Sequence, residues 1–255
     1  MQGLLHNKVA LITAGASGIG AAISRVFAGH GARVIIHYRG GEDAAKRLRD
    51  DILAAGGRAL TAQADLRDAD AVNAAFAHAS SELGPIDILV NNASIFLDPK
   101  PVESLLFSDL QAEFEGSMMT AFNATQAVLP GMLERGGGRI LFMVGTMLER
   151  PATGYAAHAV GKGAMLAYAR TMAKELGPRG IAVHCISPGM ALTPNVLKTV
   201  PEGEREALRK KTPIRRLQTP EEIAGLAVFL ASDLAASATA LHLNADGGLA
   251  DLGGI

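Results

Sequence analysis

The octad Thr13-Ala14-Gly15-Ala16-Ser17-Gly18-Ile19-Gly20 follows a short aliphatic run and opens a helical pattern. Glycines in a strand-to-helix turn let backbone N–H groups approach a pyrophosphate at the positively polarised end of a helix, so these residues point to a dinucleotide. The second aliphatic run ends in His37-Tyr38-Arg39, where an acidic residue would hold the ribose 2′-hydroxyl of NAD. An arginine there suits a 2′-phosphate and favours NADP over NAD. The competing reading leaves Arg39 solvated and turns Glu42 or Asp43 back to the ribose. Asp65-Leu66, after the third run, either puts a carboxylate near the adenine or caps the next helix, a role for which Asp68 competes.

Positioning these groups is the work of a regular alternation. Short β-branched or aliphatic runs at 9–13, 33–38, 58–64, 86–90, 139–144, 181–186 and 241–244 are separated by longer helical patterns, the signature of βαβ units. The reading is an α/β fold: a doubly wound, Rossmann-type, parallel seven-stranded sheet in a three-layer sandwich, with residues 1–255 as one domain. Ile19, Ala22, Ile23, Val26 and Phe27 form an apolar helical stripe, as do Ile223, Leu226, Ala227 and Leu230. Thr219-Pro220-Glu221-Glu222 reads as a capping box with proline in the first turn. Long helices are expected over 105–135 and 155–176, the first stopped by Gly136-Gly137-Gly138 and the second by Gly177-Pro178.

Composition excludes several classes. With 24 Lys+Arg against 25 Asp+Glu the chain lacks the basic excess of a nucleic-acid binder. At 49% hydrophobic and 19% charged it is too apolar for disorder. Its longest strongly apolar run, 223–231, is far short of the ~18 residues that span a bilayer, so no membrane association is expected. The single cysteine, Cys185, makes no intrachain disulfide and fits a cytoplasmic setting as a small core residue. No metal site is expected.

With Asn91-Asn92-Ala93-Ser94 after the fourth run, Ser187-Pro188-Gly189 and Thr193 after the sixth, and Asp246-Gly247-Gly248 near the end, the chain resembles the short-chain dehydrogenase/reductase family over essentially its whole length. His37-Tyr38-Arg39, the run 91–96, and Gly154-Tyr155 ahead of Lys162-Gly163-Ala164 look most like the pteridine reductase subgroup. There the phenylalanine corresponding to Phe96 stacks on the pterin; the plainer reading makes Phe96 a lid or core residue. The resemblance implies phosphate contacts from Ala14, Gly15, Ala16, Ser17, Gly18 and Ile19, with Gly20 completing the turn. It implies Arg39 on the 2′-phosphate, flanked by His37 and Tyr38, and Asp65 with Leu66 at the adenine. Asn92, Ala93 and Ser94 would line the ribose, Pro188, Gly189 and Thr193 the carboxamide, and Lys162 the nicotinamide ribose. Ala14 stands where the family has its first glycine, which crowds the phosphate approach.

The family's chemistry uses an Asn-Ser-Tyr-Lys set. Counting back four from Lys162 gives His158 in the tyrosine position, and thirteen further back gives Gly145 in the serine position. Ser117 corresponds to the asparagine. A proton donor near the developing alkoxide contributes roughly 10²- to 10⁴-fold, so something must supply it. His158 is a candidate because imidazole in general titrates near neutrality, yet a lysine ammonium one helical turn away would disfavour an imidazolium there. It is therefore open whether His158 donates the proton, orients the substrate or only fills space. Tyr155, one turn earlier, is the rescue candidate, with a packing role as its alternative. Thr146 offers a hydroxyl in place of the missing serine if the strand before it has ended.

Three functional classes follow. The first is an NADP(H)-dependent oxidoreductase acting on a carbonyl, an alcohol or a pterin-like C=N group of a small molecule. The second is a cofactor-binding relative without catalysis, acting as a sensor or oligomer subunit, and the third is redox-neutral chemistry with His158 as base. By resemblance the two long helices pair subunits into a dimer or tetramer. The segments 96–106 and 190–216 would shape the substrate pocket. The charges of 202–211 read as a solvated lid face, with Lys198, Arg205 and Arg209 keeping an anionic substrate open.

Overall fold

A computed structural model of the chain describes residues 3–95 and 98–250. Among them, seven strands form one parallel sheet in the order β3-β2-β1-β4-β5-β6-β7. The strands are β1 (Val9–Ile12), β2 (Arg33–Tyr38), β3 (Arg58–Gln63), β4 (Ile88–Asn91), β5 (Gly138–Met143), β6 (Ile181–Pro188) and β7 (His242–Ala245). The helices on the two faces are α1 (Gly18–Gly29), α2 (Glu42–Ala54), α3 (Ala69–Leu83), α4 (Phe107–Phe114), α5 (Thr120–Arg135), α6 (Ala156–Leu176) and α9 (Pro220–Ala231). Two short helices, α7 (Pro194–Thr199) and α8 (Glu202–Lys211), interrupt the connection after β6. The seven expected strands are all present, with ends that move by at most two residues.

Alternation along β1 shows how the layers form. Ala10 and Ile12 join a core with Ile23 and Phe27 of α1, Leu48 of α2 and Ile223 and Leu230 of α9. Val9 and Leu11 point the other way, into a core with Val72 and Phe76 of α3, Val128 of α5 and Met165 of α6. Strands buried on both faces must be apolar throughout, which is why they read as continuous hydrophobic runs. Each fully buried side chain such as Ile12 or Phe27 contributes roughly 1.5–3 kcal/mol. Ala10 pairs with Val34 of β2 on one side and Ile88 of β4 on the other. The strand order reverses between β1 and β4, opening a crevice at their carboxyl ends.

The capping box at the start of α9 forms: Glu222 N–H donates to Thr219 Oγ1 and Thr219 N–H to Glu222 Oε2. The helix expected over 105–135 begins at Phe107 and runs to Arg135 with a π turn inside it. A 3₁₀ turn at Val102–Ser104 precedes α4, and a π turn at Glu115–Met119 separates α4 from α5. Gly116 sits in that turn because a Cβ there would collide with Ile95. Thr120 Oγ1 donates to the carbonyls of Gly116 and Ser117, which the π turn leaves exposed to it.

Candidate functional site

At the crevice, β1 and β4 are tied by one side chain. Thr13 Oγ1 donates to Val90 O and accepts from the amides of Asn92 (2.8 Å) and Ala93 (2.9 Å). Asn92 Nδ2 returns to Thr13 O at 3.0 Å and Ala14 O at 3.3 Å. The glycine turn then runs against β2, with Ala14 N–H donating to His37 Nδ1 and Gly15 N–H to His37 O. Gly20 has no room for a side chain, since a Cβ would overlap Ala14 O and lie 2.6 Å from Asn92 Nδ2. Ala14 itself holds a φ of 48°, the left-handed conformation a glycine would adopt more readily. Ser17 precedes α1 without a side-chain capping bond, and the first turn carries no acidic residue.

These segments line a cleft of about 480 Å³ with Ala14, Ala16, Ser17, His37, Tyr38, Arg39, Asp65, Leu66, Ala93 and Ser94 on its walls, a volume typical of small-molecule sites. Arg39 is exposed at the rim, whereas His37 and Tyr38 are buried. The His37 ring is a brace: its Nε2 bonds Ala64 O at 3.1 Å while Nδ1 holds the glycine turn. Burial lowers its pKa to about 4. Asp68, not Asp65, caps α3 by accepting from the amides of Asp70 and Ala71. Asp65 instead pairs with Arg67 at 2.6 Å, and that bond holds its carboxyl at about 2. Arg67 lines the same cleft and was absent from the sequence-based set. Glu42 pairs with Lys46 of its own helix rather than reaching the ribose position.

The loops after β5, β6 and β7 meet across the crevice. Gly189 lies so close to Asp246 that a Cβ would come within 2.9 Å of its Cβ. Asp246 accepts from the amides of Gly248 and Ala250. Thr193 caps α7 by accepting from Val196 N–H, and its methyl lies near Gly18. β5 has ended before Thr146, whose hydroxyl donates to Pro188 O at 3.4 Å. No atom lies within 4 Å of where a Cβ on Gly145 would be, so the serine position is open space. Phe96 is outside the described residues. Glu202–Arg205 and Glu206–Arg209 ion pairs lace α8, which matches a solvated face and commits both arginines to carboxylates.

Lys162 is buried in α6 and donates to Met143 O at 2.9 Å. Burial lowers its pKa to about 8, with the charge of Glu113 acting the other way. That glutamate is what the sequence reading missed. Glu113 of α4 is 0% exposed, and its Oε2 lies 3.3 Å from His158 Nδ1. The sequence reading named only the Lys162 ammonium near His158; the structure adds a buried carboxylate as a hydrogen-bond partner of the imidazole. Gly161 makes the approach possible, because a Cβ there would sit 2.9 Å from Glu113 O. A signal existed in sequence, since Glu113 precedes Ser117 by four residues and shares its buried helix face. Ser117 Oγ lies 3.0 Å from Ser94 Oγ. Tyr155 and His158 line a second, narrow cleft with Glu113, Lys100, Leu105 and Asp98, none of which lines the cleft at the glycine turn.

Together these features define a Rossmann-type α/β protein with a nucleotide-sized cleft at its switch point. The family profile described as Enoyl-(Acyl carrier protein) reductase matches residues 13–250. Oxidoreductase UcpA of Salmonella typhimurium is 37% identical, over 97% of this chain and 96% of that protein. A 7α-hydroxysteroid dehydrogenase solved with NADH and 7-oxo glycochenodeoxycholic acid superposes with a TM-score of 0.90 at 34% identity, covering 96% of this chain and 94% of that one. A gluconate 5-dehydrogenase from Burkholderia cenocepacia, solved with NADP and tartrate, gives 0.90 at 31%, covering 97% and 96%. The chain belongs to the short-chain dehydrogenase/reductase family and is an oxidoreductase-type member of it. Among the described residues no helix is long and apolar enough to cross a membrane.

Proposed function

We propose that this protein is an NADP(H)-dependent oxidoreductase that interconverts a small-molecule alcohol and its carbonyl, with His158 in the position of the family's tyrosine. The observation that carries the cofactor choice is Arg39 at the rim of the cleft, beside an Asp65 carboxylate neutralised by Arg67. Glu42 is engaged with Lys46, and Glu115 on the α4 side of the cleft accepts from Gln111 Nε2. The cleft is lined by the residues expected at the adenosine and phosphate half of a dinucleotide. The amides after Ser17 are uncapped by side chains, and the crowding at Gly20 draws the loop tight under the phosphate path. Ala14 to Ile19 would hold the phosphates, Asn92 to Ser94 and Lys162 the nicotinamide ribose, and Pro188, Gly189 and Thr193 the carboxamide.

A bound dinucleotide supplies the hydride acceptor or donor. The chain's own residues bind it, exclude water and move the accompanying proton. Lys162, buried and with a pKa near 8, places its ammonium beside that proton path. The open space at Gly145 admits substrate bulk where other members carry a hydroxyl. A pterin-like C=N group belongs to the same chemistry, hydride plus one proton, and stays within the panel to be assayed. Relatives named as dehydrogenases support catalysis over a purely sensory role. We further infer self-association into a dimer or tetramer, supported by exposed Phe107, Phe114, Phe122 and Val160 on α4, α5 and α6. One continuous sheet supports one domain, and the buried thiol of Cys185 a reducing, cytoplasmic setting.

The test compares NADPH and NADH binding in wild type and Arg39→Asp, alongside oxidation of each by ketones, quinones, 3-oxoacyl thioesters and pterins. Charge-assisted bonds to a phosphate are worth about 1.5–3 kcal/mol, so NADPH affinity should fall roughly 10- to 150-fold while NADH affinity holds. Equal effects on both cofactors would remove the NADP assignment.

A further inference from the structure

We propose that Arg67 is a specificity-determining residue for the 2′-phosphate of the cofactor and acts through Asp65: it fills the acceptor sites of that carboxylate and so keeps the Arg39 guanidinium free for the phosphate. This deepens the NADP(H) reading and rests on it for the identity of the ligand.

The geometry begins at two strand ends. Tyr38 pairs with Gln63 across β2 and β3, and Ala64 N–H donates to Tyr38 O at 3.2 Å, so the segments that follow leave the sheet side by side. Gln63 Nε2 donates to Arg39 O at 3.2 Å and ties them together. Arg39, Asp65 and Arg67 then line one cleft, where the charges of both arginines act on Asp65. The bonds of Asp65 go to Arg67. Its Oδ1 accepts from the Arg67 amide and from Nε, each at 3.0 Å, and its Oδ2 from Nε at 3.2 Å and Nη2 at 2.6 Å. A carboxylate offers about four acceptor sites, and these contacts fill them. Among the described residues no hydrogen bond or ion pair engages the Arg39 guanidinium. The turn that carries the Arg67 fork is itself fixed, since Leu66 is 4% exposed and its carbonyl accepts from Asn123 Nδ2 of α5 at 2.8 Å.

A guanidinium bonds carboxylate and phosphate oxygens with the same fork of donors. Without Arg67, Asp65 would therefore compete with the 2′-phosphate for Arg39, because it lies in the same cleft and attracts the same side chain. With Arg67 in place the competitor is occupied, and the Asp65–Arg67 pair adds no net charge to the cleft. Glu115, on the α4 side, accepts from Gln111 Nε2 at 2.8 Å, and its charge also acts on Arg67. NADH carries a hydroxyl where NADPH carries the phosphate and draws little from a free Arg39, so the effect of Arg67 falls on NADPH. All three side chains reach solvent, which sets the competition at the few-fold of an exposed ion pair and not at the orders of magnitude of a buried one.

The experiment reads binding and needs no turnover. Calorimetric affinities for adenosine 2′,5′-bisphosphate and for AMP, which differ by the 2′-phosphate alone, are measured for wild type, Arg67→Ala, Asp65→Asn and the double variant, with NADPH and NADH alongside. The preference, Kd for AMP divided by Kd for the bisphosphate, should fall roughly 3- to 5-fold in Arg67→Ala. In the Asp65→Asn background the same substitution should change it by less than about 1.5-fold, because no carboxylate remains to capture Arg39. A preference left unchanged by Arg67→Ala overturns the proposal. So does an equal fall in both backgrounds, which would make Arg67 a direct phosphate ligand. A wild type that binds NADPH no better than NADH sinks the NADP reading, whereas the proposal is judged by the change that Arg67→Ala produces and not by the starting ratio.

Discussion

Acidification should loosen the cofactor turn through His37. Its Nδ1 accepts from Ala14 N–H and its Nε2 bonds Ala64 O, so the native ring is neutral with the proton on Nε2. Protonation at Nδ1 would place N–H against N–H and charge a buried ring, which is why burial lowers the folded pKa to about 4 from 6.5. Between those values the unfolded chain binds a proton that the folded protein refuses. Stability from this site is therefore intact above about pH 6.5 and lost as pH falls toward 4. With about 1.36 kcal/mol per pKa unit, the loss between pH 7 and pH 5 is about 2 kcal/mol. The assay is urea unfolding at both pH values for wild type and His37→Asn, whose side-chain oxygen can still accept from Ala14 N–H without titrating. The variant should lose about 2 kcal/mol less than wild type over that interval. Buried His184, also lowered to about 4, titrates in both proteins and cancels in the difference. An identical pH dependence in the two would refute the brace assigned to His37.

Two further substitutions probe the backbone of the site. Ala14→Gly should relieve a left-handed alanine worth about 1–2 kcal/mol, against about 0.4–1 kcal/mol of added unfolded-state entropy. The net gain of about 0.5–1 kcal/mol raises Tm by roughly 1–4 °C, and a lower Tm would contradict the strain. Gly161→Ala drives a methyl into Glu113 O, so overpacking should cost about 1–3 kcal/mol and several degrees in Tm, whereas an unchanged Tm would mean that α4 and α6 separate freely.

Much of this molecule is written in local patterns. Continuous apolar runs spaced by helical stripes announced the parallel sheet, because strands covered on both faces tolerate little else. The glycine octad was legible because the turn from β1 to α1 is a matter of backbone conformation over eight residues. Arg39 and Asp65 were legible by their place just after strands. Their partners were not. Only the register of β1, β2 and β4 shows that Thr13 joins two strand ends and that His37 braces the turn, and only the local fold after β3 shows that Arg67 pairs with Asp65. The π turn inside the 105–135 helix, where Ile95 packs against Gly116, is not contained in helical propensity.

The catalytic region shows the division most plainly. The family resemblance, applied at the spacing of its motif, placed Lys162, His158 and Gly145, with Ser117 as the counterpart of the asparagine. Which charge faces His158 was decided by folding. Glu113 lies 45 residues away, and it reaches the ring because a glycine lets two helices touch and burial forces the carboxylate to find a partner there.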